Sequence, residues 1–258
     1  MGRGNTSLGL TLQARVFLPG AQPLPPAPVL PVDRPPDTTE RSALDAALPR
    51  QPRHLAVAFS GDLAPGGWWG PARPSTWADA VAAIRYVASV LGVALAAEQD
   101  ARLPWHPGRC ARLVVGDVAV GHAGEIHPRV CRAWGVPART SYAEVDVDAM
   151  VAAAPVLVHA PTFSTQPVAK EDVALVVPAD VPAAAVERAL RHGAGELLES
   201  VRLFDVYTGE QVPAGHKSLA FSLRLRAAER TLTEAEASAV RNAAVRAAAE
   251  ATGARLRS

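Results

Sequence analysis

The sequence predicts an α+β chain in two parts, residues 1–160 and 161–258. Three observations lead there. A pair of apolar runs meets at Gly116-Asp117, as the strands of an antiparallel meander do. Pro155, Pro161 and Pro167 interrupt the chain where no periodic pattern runs, which marks a domain boundary. Everything after them falls in the order β-α-β-β-α-β.

The first strand covers Leu8 to Phe17. Leu8, Leu10, Leu12, Ala14 and Val16 alternate with other residues, so one buried face is expected. So abrupt a start suggests a sheet whose other members precede it, and hence a shortened chain. Pro19 to Pro52 is proline-dense and reads as a surface loop, with a short helix at Arg41 to Leu48. His54 to Ser60 is a continuous apolar run, the mark of a buried strand. Gly61 to Pro74 is a loop, with Trp68 and Trp69 as its packed cap. In Trp77 to Leu91, Ala80, Ile84, Val87 and Leu91 make one helical stripe that Gly92 ends. Ala111 to Val120 and Gly121 to Ile126 are the meander strands. His127-Pro128 opens a short helix through Trp134, and Ser141 to Val147 is a further strand.

In the second part, Glu171 to Val177 is a strand. Pro182 to His192 is a helix with proline in its first turn and Gly193 beyond its end. Leu198 to Tyr207 and Lys217 to Arg226 are strands. Thr233 and Glu236 form a capping box at the head of a helix that runs to Thr252. Gly253 stops it, and Ala254 to Arg257 closes as a strand. This is the ferredoxin-like βαββαβ arrangement.

Composition bounds the chemistry. Apolar residues are 49% and charged residues 20% of 258, enough for packed cores. Aromatics are only 5%, so helices must pack through small side chains. The net charge of +1 creates no global field for nucleic acid, and any RNA contact must be a local patch. Cys110 and Cys131 form neither a disulfide framework nor a CxxC pair. No apolar run is long enough to span a bilayer, and the N-terminus lacks a signal-peptide pattern. A reducing, cytoplasmic setting is expected, with neither membrane nor DNA as a partner.

The strand Lys217 to Arg226 carries the sharpest signal. Leu219, Phe221, Leu223 and Leu225 alternate with Ser218, Ala220, Ser222, Arg224 and Arg226. The first set points into the core; the second makes a flat, positive open face. Lys217 and Arg230 extend that face, and Tyr207 on the preceding strand offers a stacking ring. Lys170, with the Arg188 to Arg191 helix face, is the next cationic candidate. The competing reading is a solvated edge, with Arg224 and Arg226 paired to Asp205 or Glu210. His106, His122 and His127 with Glu125 could ligate a metal or form a base, but they lack paired spacing. Hydrogen-bonded turn histidines fit their Gly and Pro neighbours better. No P-loop, GxGxxG or GxSxG motif is present, and no metal or cofactor site is expected in this chain.

Several segments, in order, resemble one family. Trp105-His-Pro-Gly-Arg-Cys-Ala111 and Gly121-His-Ala-Gly-Glu-Ile-His-Pro128 are similar to blocks of the bacterial phenylalanyl-tRNA synthetase β subunit, in its catalytic-like module. Pro167 to Val177, Leu203-Phe-Asp-Val-Tyr-Thr-Gly209, Lys217-Ser-Leu-Ala-Phe221 and Arg230-Thr-Leu-Thr233 resemble its ferredoxin-fold anticodon-binding domain. Cys110 stands where the family usually has serine. The resemblance implies a partial, non-catalytic class II synthetase-like module over 1–160 and an anticodon-binding domain over 161–258. It implies an α2β2 ligase that charges tRNA(Phe), with the active site, ATP and magnesium held elsewhere. Partners would be the α subunit and tRNA(Phe), the latter contacted by Lys170, Tyr207, Lys217, Arg224, Arg226 and Arg230. The chain alone would be inactive. A free-standing RNA-binding module and a ferredoxin-like regulatory domain are the alternatives.

Overall fold

The computed structural model describes residues 4–18, 20, 23–30, 32–157 and 164–257. The expected boundary between the two parts, at 160/161, lies outside the described residues. The chain divides into two compact units, Met1–His159 and Ala160–Ser258.

The first unit begins with β1 (Leu8–Arg15), α1 (Thr38–Ala46), β2 (Arg53–Ser60), β3 (Asp62–Ala64), β4 (Arg73–Pro74) and α2 (Trp77–Leu91). It continues through β5 (Leu95–Asp100), β6 (Trp105–Val115), β7 (Val118–Ile126), α3 (Pro128–Trp134), β8 (Ser141–Asp146) and α4 (Val147–Ala152). Six strands form one antiparallel sheet in the order β1-β2-β8-β7-β6-β5. Ala80, Val81, Ile84 and Ala88 of α2 are buried against Val57, Leu113, Ala143 and Val145 of the sheet. Alanines on the helix let its axis lie close to the strands, which compensates for the scarcity of aromatics. Asp79 accepts the Thr76 backbone N–H at 2.7 Å, and Gly92 ends the helix at φ 70°.

The structure corrects several expectations here. β1 is an edge strand with no buried face: Leu10 and Leu12 are 59% and 63% exposed. The predicted Gly61 to Pro74 loop contains the β3–β4 hairpin, and Trp68 and Trp69 stand exposed rather than packed. The meander turns at Gly116-Asp117, but β6 reaches back to Trp105 and β7 already starts at Val118. β5 escaped the sequence reading because Leu95-Ala-Ala-Glu-Gln-Asp100 has little β-propensity; pairing with β6 overrides it. The sequence pattern assigns no element between Val147 and Pro155, where α4 forms with Asp146 as its cap.

The second unit comprises β9 (Ala169–Pro178), α5 (Ala183–Ala194), β10 (Leu198–Tyr207), β11 (His216–Leu225), α6 (Glu234–Thr252) and β12 (Arg255–Leu256). Its antiparallel sheet runs β10-β11-β9-β12, the strand order of the expected βαββαβ fold. Leu219, Phe221, Leu223 and Leu225 are fully buried against Val186 and Leu190 of α5 and Ala244 and Ala248 of α6. Gly193 does not end α5. The helix continues to Ala194, and Gly195 takes the positive φ of 63°.

The capping box of α6 forms as its sequence predicts: Glu236 accepts the Thr233 N–H at 2.9 Å and is gripped by both terminal nitrogens of Arg230. The Arg230 guanidinium, then the Thr233 N–H, pull the Glu236 carboxyl from 4.5 down to about 2. A depressed folded pKa contributes stability that is present above about pH 4.5 and lost as pH falls toward 2. The thermal midpoint of Glu236→Gln is therefore expected to fall less steeply than the parent's between those limits. Equal slopes in melts across that range would remove Glu236 from the acid response.

Candidate nucleic-acid interface

β11 lies between β10 and β9 in the sheet, and its register assigns every face around it. Residues directly opposite one another in an antiparallel pair share a face. Tyr207 of β10 lies opposite Ser218 and Arg202 opposite Ser222. On the other side, Val176, Ala174, Asp172 and Lys170 of β9 lie opposite Ser218, Ala220, Ser222 and Arg224. The face away from the helices therefore has a floor of alanines and serines, with charged groups along it. Small side chains at the centre permit a planar group to approach the backbone.

Two single-residue bulges interrupt β10. The register steps from Leu198 to Ser200 against Leu225 and Arg224, and from Leu203 to Asp205 against Phe221 and Ala220. Glu199 and Phe204 are the extra residues. A bulge re-aims the side chain it releases from the alternation. Phe204 is 51% exposed and shares a shallow depression with Asp172, Ala174 and Ala220 of the open face. Glu199 reaches the two arginines: its carboxylate lies 3.0 Å from Arg224 Nε and 3.0 Å from Arg226 Nη2.

The predicted site residues separate into three groups. Tyr207, Lys170, Arg224 and Arg226 lie together on or beside the open face. Tyr207 carries the Arg257 guanidinium 5.3 Å from its ring centre, a cation–π contact. Lys217 does not extend this face. It pairs with the fully buried Val177 and so belongs to the helix side, where its Nζ donates to the Ala179 carbonyl at 2.8 Å. Arg230 does not extend it either, being held by Glu236 at the head of α6. The arginines are ion-paired, as the competing reading held, but with Glu199 rather than Asp205 or Glu210. Sequence reasoning missed Glu199 and Phe204 because strict alternation cannot register a bulge. It missed Arg202 only by giving β10 less weight than β11; the register with Ser222 now places it on the open face.

In the first unit the histidines are used structurally. His106 Nδ1 accepts the Gly108 N–H at 3.0 Å, and His127 Nδ1 accepts the Arg129 N–H at 3.1 Å as the cap of α3. His122 is not in a turn: it is buried on β7, 2.9 Å from Asp100, with its ring against Trp105. Glu125 is buried and bonded to Arg109 at 2.8 Å. Cys110 and Cys131 are buried free thiols, and burial pushes Cys110 up. Among the described residues no group of His, Cys, Asp and Glu could hold a metal, and no helix is long and apolar enough to cross a membrane.

Comparison with known proteins gives this geometry a setting. Residues 164–257 match the ferredoxin-fold anticodon binding domain, and residues 3–147 match the phenylalanyl tRNA synthetase beta chain CLM domain. The phenylalanine–tRNA ligase beta subunit of Thermobifida fusca is 56% identical over 261 residues, covering 100% of this chain and 31% of its own length. That of Streptomyces avermitilis is 54% identical with the same coverage, and that of Mycolicibacterium paratuberculosis 48% identical over 99% of this chain and 30% of its own. The chain thus spans about a third of the length of these relatives. With a family match across more than half its length and about half its residues shared with such relatives, the chain belongs to the phenylalanine–tRNA ligase β-subunit family.

Proposed function

We propose that this chain is a tRNA-binding, non-catalytic portion of phenylalanine–tRNA ligase, and that its second unit grips the anticodon stem-loop of tRNA(Phe). The observation that carries this is the open sheet face within the anticodon-binding match: exposed Phe204, Tyr207, and the cations Lys170, Arg202, Arg224 and Arg226 around a floor of small residues. Unpaired RNA bases stack on aromatic rings and their phosphates meet cations. Asp205 and Ser218 beside Tyr207 supply an acceptor and a hydroxyl for base edges. The first unit, on this reading, is a class II synthetase-like module that supports the α subunit, which holds ATP, magnesium and the chemistry in the cytoplasm.

The test is titration of the full chain with a tRNA(Phe) anticodon stem-loop at several salt concentrations. Arg224→Ala and Arg226→Ala are expected to weaken binding and to flatten the log K against log salt slope, the two together by roughly 0.7–0.9. Lys217→Ala, on the helix side, serves as the control and is expected to bind like the parent. If both arginine variants match the parent while the fold is intact by circular dichroism, the open face is not the RNA site.

A further inference from the structure

Three cations crowd one corner of the open face. Lys170 of β9 lies directly opposite Arg224 of β11, and like charges in that position repel. Arg226 follows at the end of the same strand. A single carboxylate, Glu199, holds the two arginines, with one oxygen on each. It is there only because the first β10 bulge releases it from the alternation that sends Leu198 toward the core and Ser200 toward the open face.

Arg226 adds an independent observation. Its side chain is 21% exposed, its Nη1 donates to the Ser164 carbonyl at 2.6 Å, and its Nε is buried with no partner among the described residues. A buried guanidinium donor left unmatched is costly, and Glu199 takes only one of Arg226's nitrogens. One monodentate contact to each of two arginines, beside a lysine with no ion pair among the described residues, leaves this corner short of acceptor oxygens. A phosphodiester carries the charge of Glu199 and presents its non-bridging oxygens at the geometry guanidinium groups favour.

We propose that this corner, Lys170, Arg224 and Arg226, is a binding site for one RNA backbone phosphate, and that Glu199 is its resident anion, displaced when RNA binds. The inference rests on the RNA-binding reading above and deepens it. Glu199 sets affinity by competition: it keeps the arginines ordered and neutralised in the free protein, and each binding event must break its two ion pairs.

The test is Glu199→Gln in the full chain, titrated with the same stem-loop across salt. Removing the competitor is expected to tighten binding about two- to fivefold, the range that exposed ion pairs span. The salt slope is expected to steepen by a fraction of one, because no freed carboxylate recaptures a cation. Glu187→Gln is the control. It removes the same charge from an ion pair with Arg191 on the surface of α5. Tightening in Glu199→Gln alone supports the proposal. Unchanged or weaker binding overturns it while leaving the RNA reading intact, and equal tightening in both variants overturns it as a net-charge effect. If neither parent nor variant binds the stem-loop, the RNA reading fails and the inference fails with it.

Discussion

Replacing Gly193 by alanine is expected to destabilise the second unit by about 1–3 kcal/mol, against the sign that helix propensity gives. Gly193 lies inside α5, where alanine is intrinsically favoured over glycine by roughly 1 kcal/mol. Packing opposes this. A Cβ at Gly193 would lie 2.6 Å from the Ala247 Cβ, 2.7 Å from the Ala243 carbonyl oxygen and 2.9 Å from the Ala244 Cα. Two of these atoms are α6 backbone, so no rotamer change relieves the overlap; one helix must shift. Ala189, Ala244 and Ala248 are buried in the core beside this crossing, and separating the helices opens gaps around all of them. The overlap therefore outweighs propensity. For a unit of this size the loss amounts to a fall in midpoint of about 5–20 °C, readable by calorimetry. Ala247→Gly in the same background removes the closest contact and is expected to recover part of the loss. A double-mutant cycle with coupling above about 0.5 kcal/mol confirms the contact. A midpoint that rises in Gly193→Ala would show that α6 yields freely.

The glycine also shows where the sequence was legible and where it was not. A glycine followed by Ala194-Gly195 reads as a helix stop, and only the partner helix reveals that its missing side chain serves close packing. Second-unit elements were legible where local chemistry and tertiary demand agree. Thr233 and Glu236 cap α6 as their spacing predicts, and the Leu219-to-Leu225 alternation is buried as its period requires. β10 was legible as a strand over Leu198 to Tyr207, but two extra residues shift its phase twice, so no single period assigns its faces. The face of Lys217 was open in principle, since it shares the parity of Leu219; its long charged stem at a strand end disguised it. Ion-pair partners could not be read at all. Glu199 and Arg224 are 25 positions apart, and only the register with its bulge brings them together. In the first unit, β1 has the alternation of a half-buried strand but sits at the sheet edge with its leucines exposed, because period reports a face and not what covers it.

The largest effect on RNA binding is expected from the second β10 bulge. Phe204→Ala should weaken stem-loop binding by about 1–3 kcal/mol, roughly 5- to 150-fold in Kd, the range measured where an aromatic side chain stacks on a base. The ring is half exposed, and the alanines around it leave a planar partner room to lie down. Tyr207 is the weaker stacking candidate of the two. It is already half-buried and one of its faces is taken by Arg257, so Tyr207→Ala should also weaken binding but disturb that contact as well. Three further readouts separate stacking from its rivals. Phe204→Leu keeps apolar area but loses the π face, so it should bind nearly as poorly as alanine; parent-like binding by leucine would make the contact simple burial. Phe204→Tyr should bind like the parent. The salt slope should stay unchanged in all three, because no cation is removed. The thermal midpoint should move little, since an exposed ring contributes little to the core. If Phe204→Ala binds as tightly as the parent at the same midpoint, the bulge displays its ring for something other than RNA.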